Sequence, residues 1–144
     1  MLASCAQTLH ALRTLRAHSL SDALIHKAYR AIILAKITYC APAWRGYLHA
    51  TDIARLEAFI RKAMKNNYCQ SSALSLTDTF DKIDNKLFNS VINNPAHVLY
   101  PYLPPKTDHK YSLRPRSHNL SLSVKGSAIT ASGFLSRMIY KDCY

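Results

Sequence analysis

Apolar residues recur at three- and four-residue spacing in three successive runs across residues 1 to 67, and a helix is the structure that gathers such residues on one face. In the first run Leu2, Cys5, Leu9, Leu12 and Leu15 form the stripe, with His10, Arg13, Thr14 and Ala17 largely off it. Ser21 follows as an N-cap, with Asp22 in the first turn, where the helix dipole favours an acid. The second run, Leu24 to Ile37, is apolar nearly all round, which describes a central helix covered on several sides. Pro42 and Gly46 mark a turn that places the lone tryptophan, Trp44, against the bundle. Thr51 or Asp52 caps a third helix whose stripe is Ile53, Leu56, Ile60, Ala63 and Met64. The first 67 residues therefore read as a three-helix bundle.

Beyond them the pattern loosens. Thr77 caps a fourth helix over about 77–92, with Phe80, Ile83, Leu87, Phe88 and Val91 on one side. Asn93-Asn94-Pro95 stops it, since proline disfavours a helical residue before it. Pro101, Pro104, Pro105 and Pro115 keep 93–132 irregular, and Phe134, Leu135, Met138 and Ile139 mark a last short helix over about 133–141. No internal repeat recurs at a fixed period.

The charge balance narrows the chemistry. Nineteen Lys and Arg stand against eight acids among 144 residues, a formal net charge of +11 with His neutral. Such a balance favours anionic partners, nucleic acid first and an acidic membrane surface second, although no stretch approaches the length of a membrane span. Ten of the cations and three of the acids fall in residues 1–67, a net of +7. Arg13 and Arg16 on the first helix, Lys27 and Arg30 on the second, and Arg55, Arg61, Lys62 and Lys65 on the third are spaced to lie on exposed faces. Arg114 and Arg116, in Tyr111-Ser-Leu-Arg-Pro-Arg116, are further contacts for phosphate or acid. Phosphate contacts need only cations with reach and carry no sequence information. A merely solubilising face has the same composition, so both readings stand at this level.

The scarcity of acids speaks against self-contained two-metal catalysis, which gathers several carboxylates around its cations. Glu57 is the one glutamate, and the only dense acid run, Asp78, Asp81 and Asp84, reads as a solvated helix face with lysine neighbours such as Lys82. Cys5, Cys40, Cys69 and Cys143 lack metal-ligand spacing and read as reduced thiols of an intracellular protein. Residues 1–20 lack a charged n-region; Arg13 and Arg16 on a helical pattern with no earlier acid also suit a mitochondrial transit peptide. A bundle helix explains that spacing equally well. His97 and His118 stand beside no nucleophile signature, so they read as packing or surface residues. No catalytic residue and no metal ligand emerges.

Several blocks together carry a family resemblance. Leu9-x-x-Leu12-x-x-Leu15-Arg16, Tyr29 in an apolar helix, Tyr39-x-x-Pro42-x-Trp44 and Leu56-Glu57-Ala58-Phe59-Ile60-Arg61-Lys62 come first. Asp84-Asn85-Lys86-Leu87-Phe88-Asn89, Asn94-Pro95-Ala96-His97-Val98-Leu99, Tyr111-Ser112-Leu113-Arg114-Pro115-Arg116 and Phe134-Leu135-Ser136-Arg137 to Tyr144 follow in order. The succession resembles the region after the palm in non-LTR (LINE-type) retrotransposon reverse transcriptases, and it spans nearly the whole chain.

That resemblance implies a mainly α fold: a three-helix thumb-like bundle over 1–67, then a tail region over 68–144 with a fourth helix and an irregular, proline-containing C-terminal half. It implies a chain that begins inside the first thumb helix and lacks the palm, its Ala-Asp-Asp motif and its magnesium. No catalytic role transfers, and no cofactor belongs to this chain. What transfers is a sequence-independent grip on template–primer nucleic acid, an RNA–DNA or other duplex, through the basic residues named above, with a separate palm domain as a further partner and an intracellular, nuclear setting. The alternative is a packing or interaction module, or the remnant of a decayed element with no independent activity.

Overall fold

Helices make up most of the chain in the computed structural model, which describes residues 1–69, 75–107, 118–122, 124 and 126–141. They are α1 (Leu2–Ala17), α2 (Asp22–Ala28), a π-helical segment (Tyr29–Leu34), α3 (Ala35–Thr38), α4 (Ala41–Trp44), α5 (Ala50–Lys65), α6 (Leu76–Asn93), α7 (Ala128–Ser132) and α8 (Phe134–Ile139). Single 3-10 turns fall at Arg45–Tyr47 and Tyr100–Tyr102. The fold is mainly α, and among the described residues the only β pairing is an isolated antiparallel bridge between Lys106 and Leu120. Two compact units are present, the first formed by residues 1–41 and 48–80 and the second by 42–47 and 81–144.

In the first unit α1 packs against α2, the π-helical segment and α5. Cys5 and Leu12 of the expected α1 stripe are buried, whereas Leu15 is 47% exposed. From α2 to the start of α4 the buried residues are Ile25, Tyr29, Ile33, Ile37 and Ala41, a strict four-residue repeat. On an α-helix such a stripe drifts by about 40° per step, because 3.6 residues complete a turn. The wider π turn, closed by i→i+5 bonds, takes drift back and keeps the stripe on one side. This helix is not covered all round, however: Leu24 and Ile32 are each 49% exposed.

The chain has only three glycines, and two helices end without one. Ser19, at φ 68°, closes α1: its N–H donates to Arg16 O at 3.0 Å, and the Leu20 N–H donates to Leu15 O at 3.1 Å. Asn67, at φ 55°, closes α5 in the same way, with its N–H on Met64 O at 2.9 Å and the Tyr68 N–H on Ala63 O at 3.0 Å. Both are Schellman ends with an apolar residue, Leu20 or Tyr68, next in line. At the other end of α5 the cap is His49 rather than Thr51 or Asp52. Asp52 instead sits in the first turn and accepts the His49 N–H at 3.4 Å. Helix α6 likewise is capped by Ser75 rather than Thr77, with Ser75 Oγ accepting the Asp78 N–H at 3.0 Å.

The second unit has its core in Phe88, Leu120, Met138 and Ile139, with Ile92, Leu103, Phe134, Leu135 and Tyr140 packed on them. The ring of Phe88 meets Phe134 and His118 edge to face, at 6.5 and 5.6 Å between centroids. The acid run on α6 is a correction to the sequence reading. Asp78 is exposed, but Asp84 is 1% exposed and lies on the buried line of Leu76, Phe80, Phe88 and Val91. Arg137 Nη1 at 2.7 Å and Arg45 Nε at 3.2 Å both reach Asp84 Oδ2, and Arg45 also holds Asp81 at 2.6 Å. Burial of a carboxylate is tolerable only with such partners. Within the stretch expected to be irregular, α7 forms over Ala128–Ser132, its first turn capped by Ser127 Oγ accepting the Thr130 N–H.

Candidate nucleic-acid interface

The C-terminal ends of α1 and α5 are fastened by one side chain. Arg16 donates to Asn66 O at 2.7 Å and to Asn67 O at 2.6 Å, the two carbonyls left over where α5 ends. Its guanidinium lies 4.3 Å over the Tyr68 ring, and Asp22 Oδ1 stands 3.4 Å from its Nε. His26 adds a bond to Asn67 O at 3.2 Å. Arg16 is therefore a fixed planar cation whose position is set by the backbone it holds.

Beside this clamp runs a groove of about 580 Å³, lined by Ala6, Leu9, His10, Arg13 and Arg16 from α1 and by Phe59, Lys62, Asn66 and Tyr68 from α5 and its end. The α1 residues recur at three- and four-residue spacing, so one helix face supplies that wall. No acid lines the groove. Arg13 and Lys62 are exposed and make no ion pair among the described residues. Two exposed, unpaired cations, one fixed guanidinium and the rings of Phe59 and Tyr68 thus share one concave surface.

The expected site residues divide accordingly. Arg13, Arg16 and Lys62 converge on the groove, although Arg13 and Lys62 are 49 positions apart in the chain. Arg55 is exposed and stands one turn before Phe59, a four-residue step that keeps it on the same face of α5. Lys27, Arg30, Arg61 and Lys65 are exposed and do not line the groove. Arg114 and Arg116 lie outside the described residues. Glu57 and Arg61 stand four residues apart on α5, the spacing of a helical ion pair, but no such pair forms between them among the described residues. His10, Phe59 and Tyr68 were not among the expected site residues; Phe59 sits between the apolar and basic sides of α5, and periodicity alone does not assign such a position.

No group of three His, Cys, Asp or Glu able to hold a metal occurs among the described residues. On α6 the Asp84 carboxylate is held through its Oδ2 by two guanidinium groups. His118 is held as a structural residue: its Nδ1 accepts the Leu120 N–H at 3.2 Å, so its Nε2 is the donor to Ile139 O at 3.0 Å. His97 Nδ1 accepts the Leu99 N–H at 3.0 Å within its own turn. No described helix is long and apolar enough to cross a membrane.

The three described cysteines, Cys5, Cys40 and Cys69, are free thiols. Burial raises the thiol pKa of Cys5, with Lys36 and the N-terminus pulling part of the way back, and burial raises that of Cys69. The Tyr29 phenol between α1 and the end of α5 is pushed far up, first by burial and then by Cys69 and Cys5. These groups stay protonated in the core and offer no nucleophile. Comparison with known protein families, with curated proteins and with solved structures finds no match to this chain.

Proposed function

We propose that this chain binds nucleic acid through the phosphate backbone, without sequence preference, and performs no chemistry by itself. The observation that carries the reading is the acid-free groove where Arg13, Arg16 and Lys62 meet, in a chain of net charge +11. Arg55 extends the same face, and Lys27, Arg30, Arg61 and Lys65 supply longer-range attraction. The block resemblance to the thumb and tail of non-LTR retrotransposon reverse transcriptases supports the same reading and names an RNA–DNA hybrid as the first duplex to try.

Binding of the purified chain to a labelled RNA–DNA hybrid across a salt series tests it. With about six cations on phosphates, log K falls against log salt with a slope near −5. A flat salt response, or no binding of either the hybrid or its separated strands at low salt by a chain with a helical circular dichroism spectrum, overturns the proposal. The second reading is a packing module, favoured by Leu24 and Ile32, each half-exposed on the central helix of the first unit. Concentration-dependent self-association without nucleic-acid binding is its signature.

A further inference from the structure

We infer that the groove between α1 and α5 takes an extended single-stranded segment, its phosphates on Arg13 and Lys62 and a base against Phe59; this deepens the nucleic-acid reading above and rests on it. A duplex keeps its bases stacked inside, so it offers a protein surface phosphates and groove edges. Cations on a flat or convex face are enough to meet it. Here the cations instead flank a cleft of about 580 Å³ whose wall includes the half-buried ring of Phe59. That volume falls in the range that accepts a small ligand, and only an unstacked base reaches an aromatic wall inside it. A charged groove that tracks the backbone, with a ring for the base, is the recurring solution for single strands.

Arg16 gives the groove its rigid end. Its guanidinium is already pinned by two carbonyls and the Tyr68 ring, so no ordering cost falls on it when a strand arrives. Arg13 and Lys62 have no such fixture and are free to follow the backbone. No carboxylate lines the groove, and the one amide there, Asn66, spends its Nδ2 on Lys62 O at 2.7 Å, so the expected preference is for strandedness rather than sequence. RNA and DNA single strands share this chemistry, and the 2′-hydroxyl alone separates them.

The test compares labelled oligothymidylate and oligouridylate of about twelve nucleotides with a hybrid duplex of equal length at one salt concentration, by fluorescence anisotropy. The expected result is at least tenfold tighter binding of either single strand than of the duplex. Phe59→Leu, which keeps an apolar side chain but removes the ring, lowers single-strand affinity by about tenfold, and Phe59→Trp restores it. Lys82→Gln, an exposed lysine of the second unit, leaves the ratio unchanged. Equal, salt-sensitive binding of single strand and duplex overturns the groove assignment and leaves the nucleic-acid reading standing; tighter duplex binding does the same. Failure of every probe to bind overturns both.

Discussion

Asp84 and Arg137 are 53 positions apart in the chain, yet Nη1 of the arginine lies 2.7 Å from Oδ2 of the aspartate. The same guanidinium donates to Pro42 O at 3.1 Å and to Ser132 O at 3.2 Å. One side chain near the C-terminus thus joins α6, α4 and the end of α7, with a buried carboxylate as counter-ion. Asp84→Ala leaves the guanidiniums of Arg45 and Arg137 without it, and such removals cost about 3 kcal/mol or more. Urea unfolding followed by circular dichroism checks this, with Asp78→Ala, exposed on the same helix, expected within about 0.5 kcal/mol of the parent.

Gly46 is fixed by contact rather than by backbone angle. A Cβ there would stand 2.0 Å from Ser132 O and 2.6 Å from Arg137 Nε, so either the backbone or the arginine must move. Gly46→Ala should lose about 2 kcal/mol, in the range of other overpacked sites. At Gly126 the added carbon meets no described residue within 4 Å beyond the glycine's own chain neighbours, and Gly126→Ala should be neutral. Thermal melts of the two variants side by side decide the matter.

Ser19 takes a left-handed conformation that side chains disfavour. Ser19→Gly relieves that strain at a cost in unfolded-chain entropy, and the balance should favour the glycine by about 0.5 kcal/mol. A rise in the urea midpoint with an unchanged slope is the expected outcome. A fall would show that the Ser19 side chain contributes more than its backbone costs.

Alkali should weaken the first unit in a defined window. Cys5 and Cys69, ordinarily near 9.0, and Tyr29, ordinarily near 10.0, all have raised pKa values in the folded chain. The folded state therefore holds protons that the unfolded state has released. Their stabilisation is intact below about pH 9 and is lost as pH climbs, by at most about 1.4 kcal/mol per pH unit for each group. Melting temperatures from pH 7 to 11 give the curve. Tyr29→Phe should flatten it above pH 10, and it should change stability at pH 7 by less than about 1 kcal/mol, because the hydroxyl's partner is the Cys69 thiol, a weak hydrogen-bonding group.

The helices were legible because burial on a helix leaves a period in the sequence, as Cys5, Leu12, Leu56 and Ala63 show. The buried acid was half legible. Phe80, Asp84 and Phe88 fall at four-residue steps, which places the aspartate on the inner line, but its partners Arg45 and Arg137 are distant in sequence and follow no local rule. The groove was hidden for the same reason: Arg13 and Lys62 come together only because α1 packs on α5. Charge counting found the cations. It had no means of separating the two that meet across a cleft from those, such as Arg61 and Lys65, that do not.

The π-helical segment at Tyr29–Leu34 behaves like a helix carrying one residue too many. Twelve steps separate Ile25 from Ile37; in a regular α-helix eleven steps would return to within about 20° of the same direction. Removing one residue from the exposed side of the segment, Ala31 for instance, should therefore relax it into an ordinary helix while Ile25 and Ile37 remain on the buried side. Deletions inside helices normally rotate everything downstream out of register. In this chain the helix should tolerate the loss of a residue better than the gain of one, and its length of seventeen residues from Asp22 to Thr38 is one of two solutions to the same packing problem.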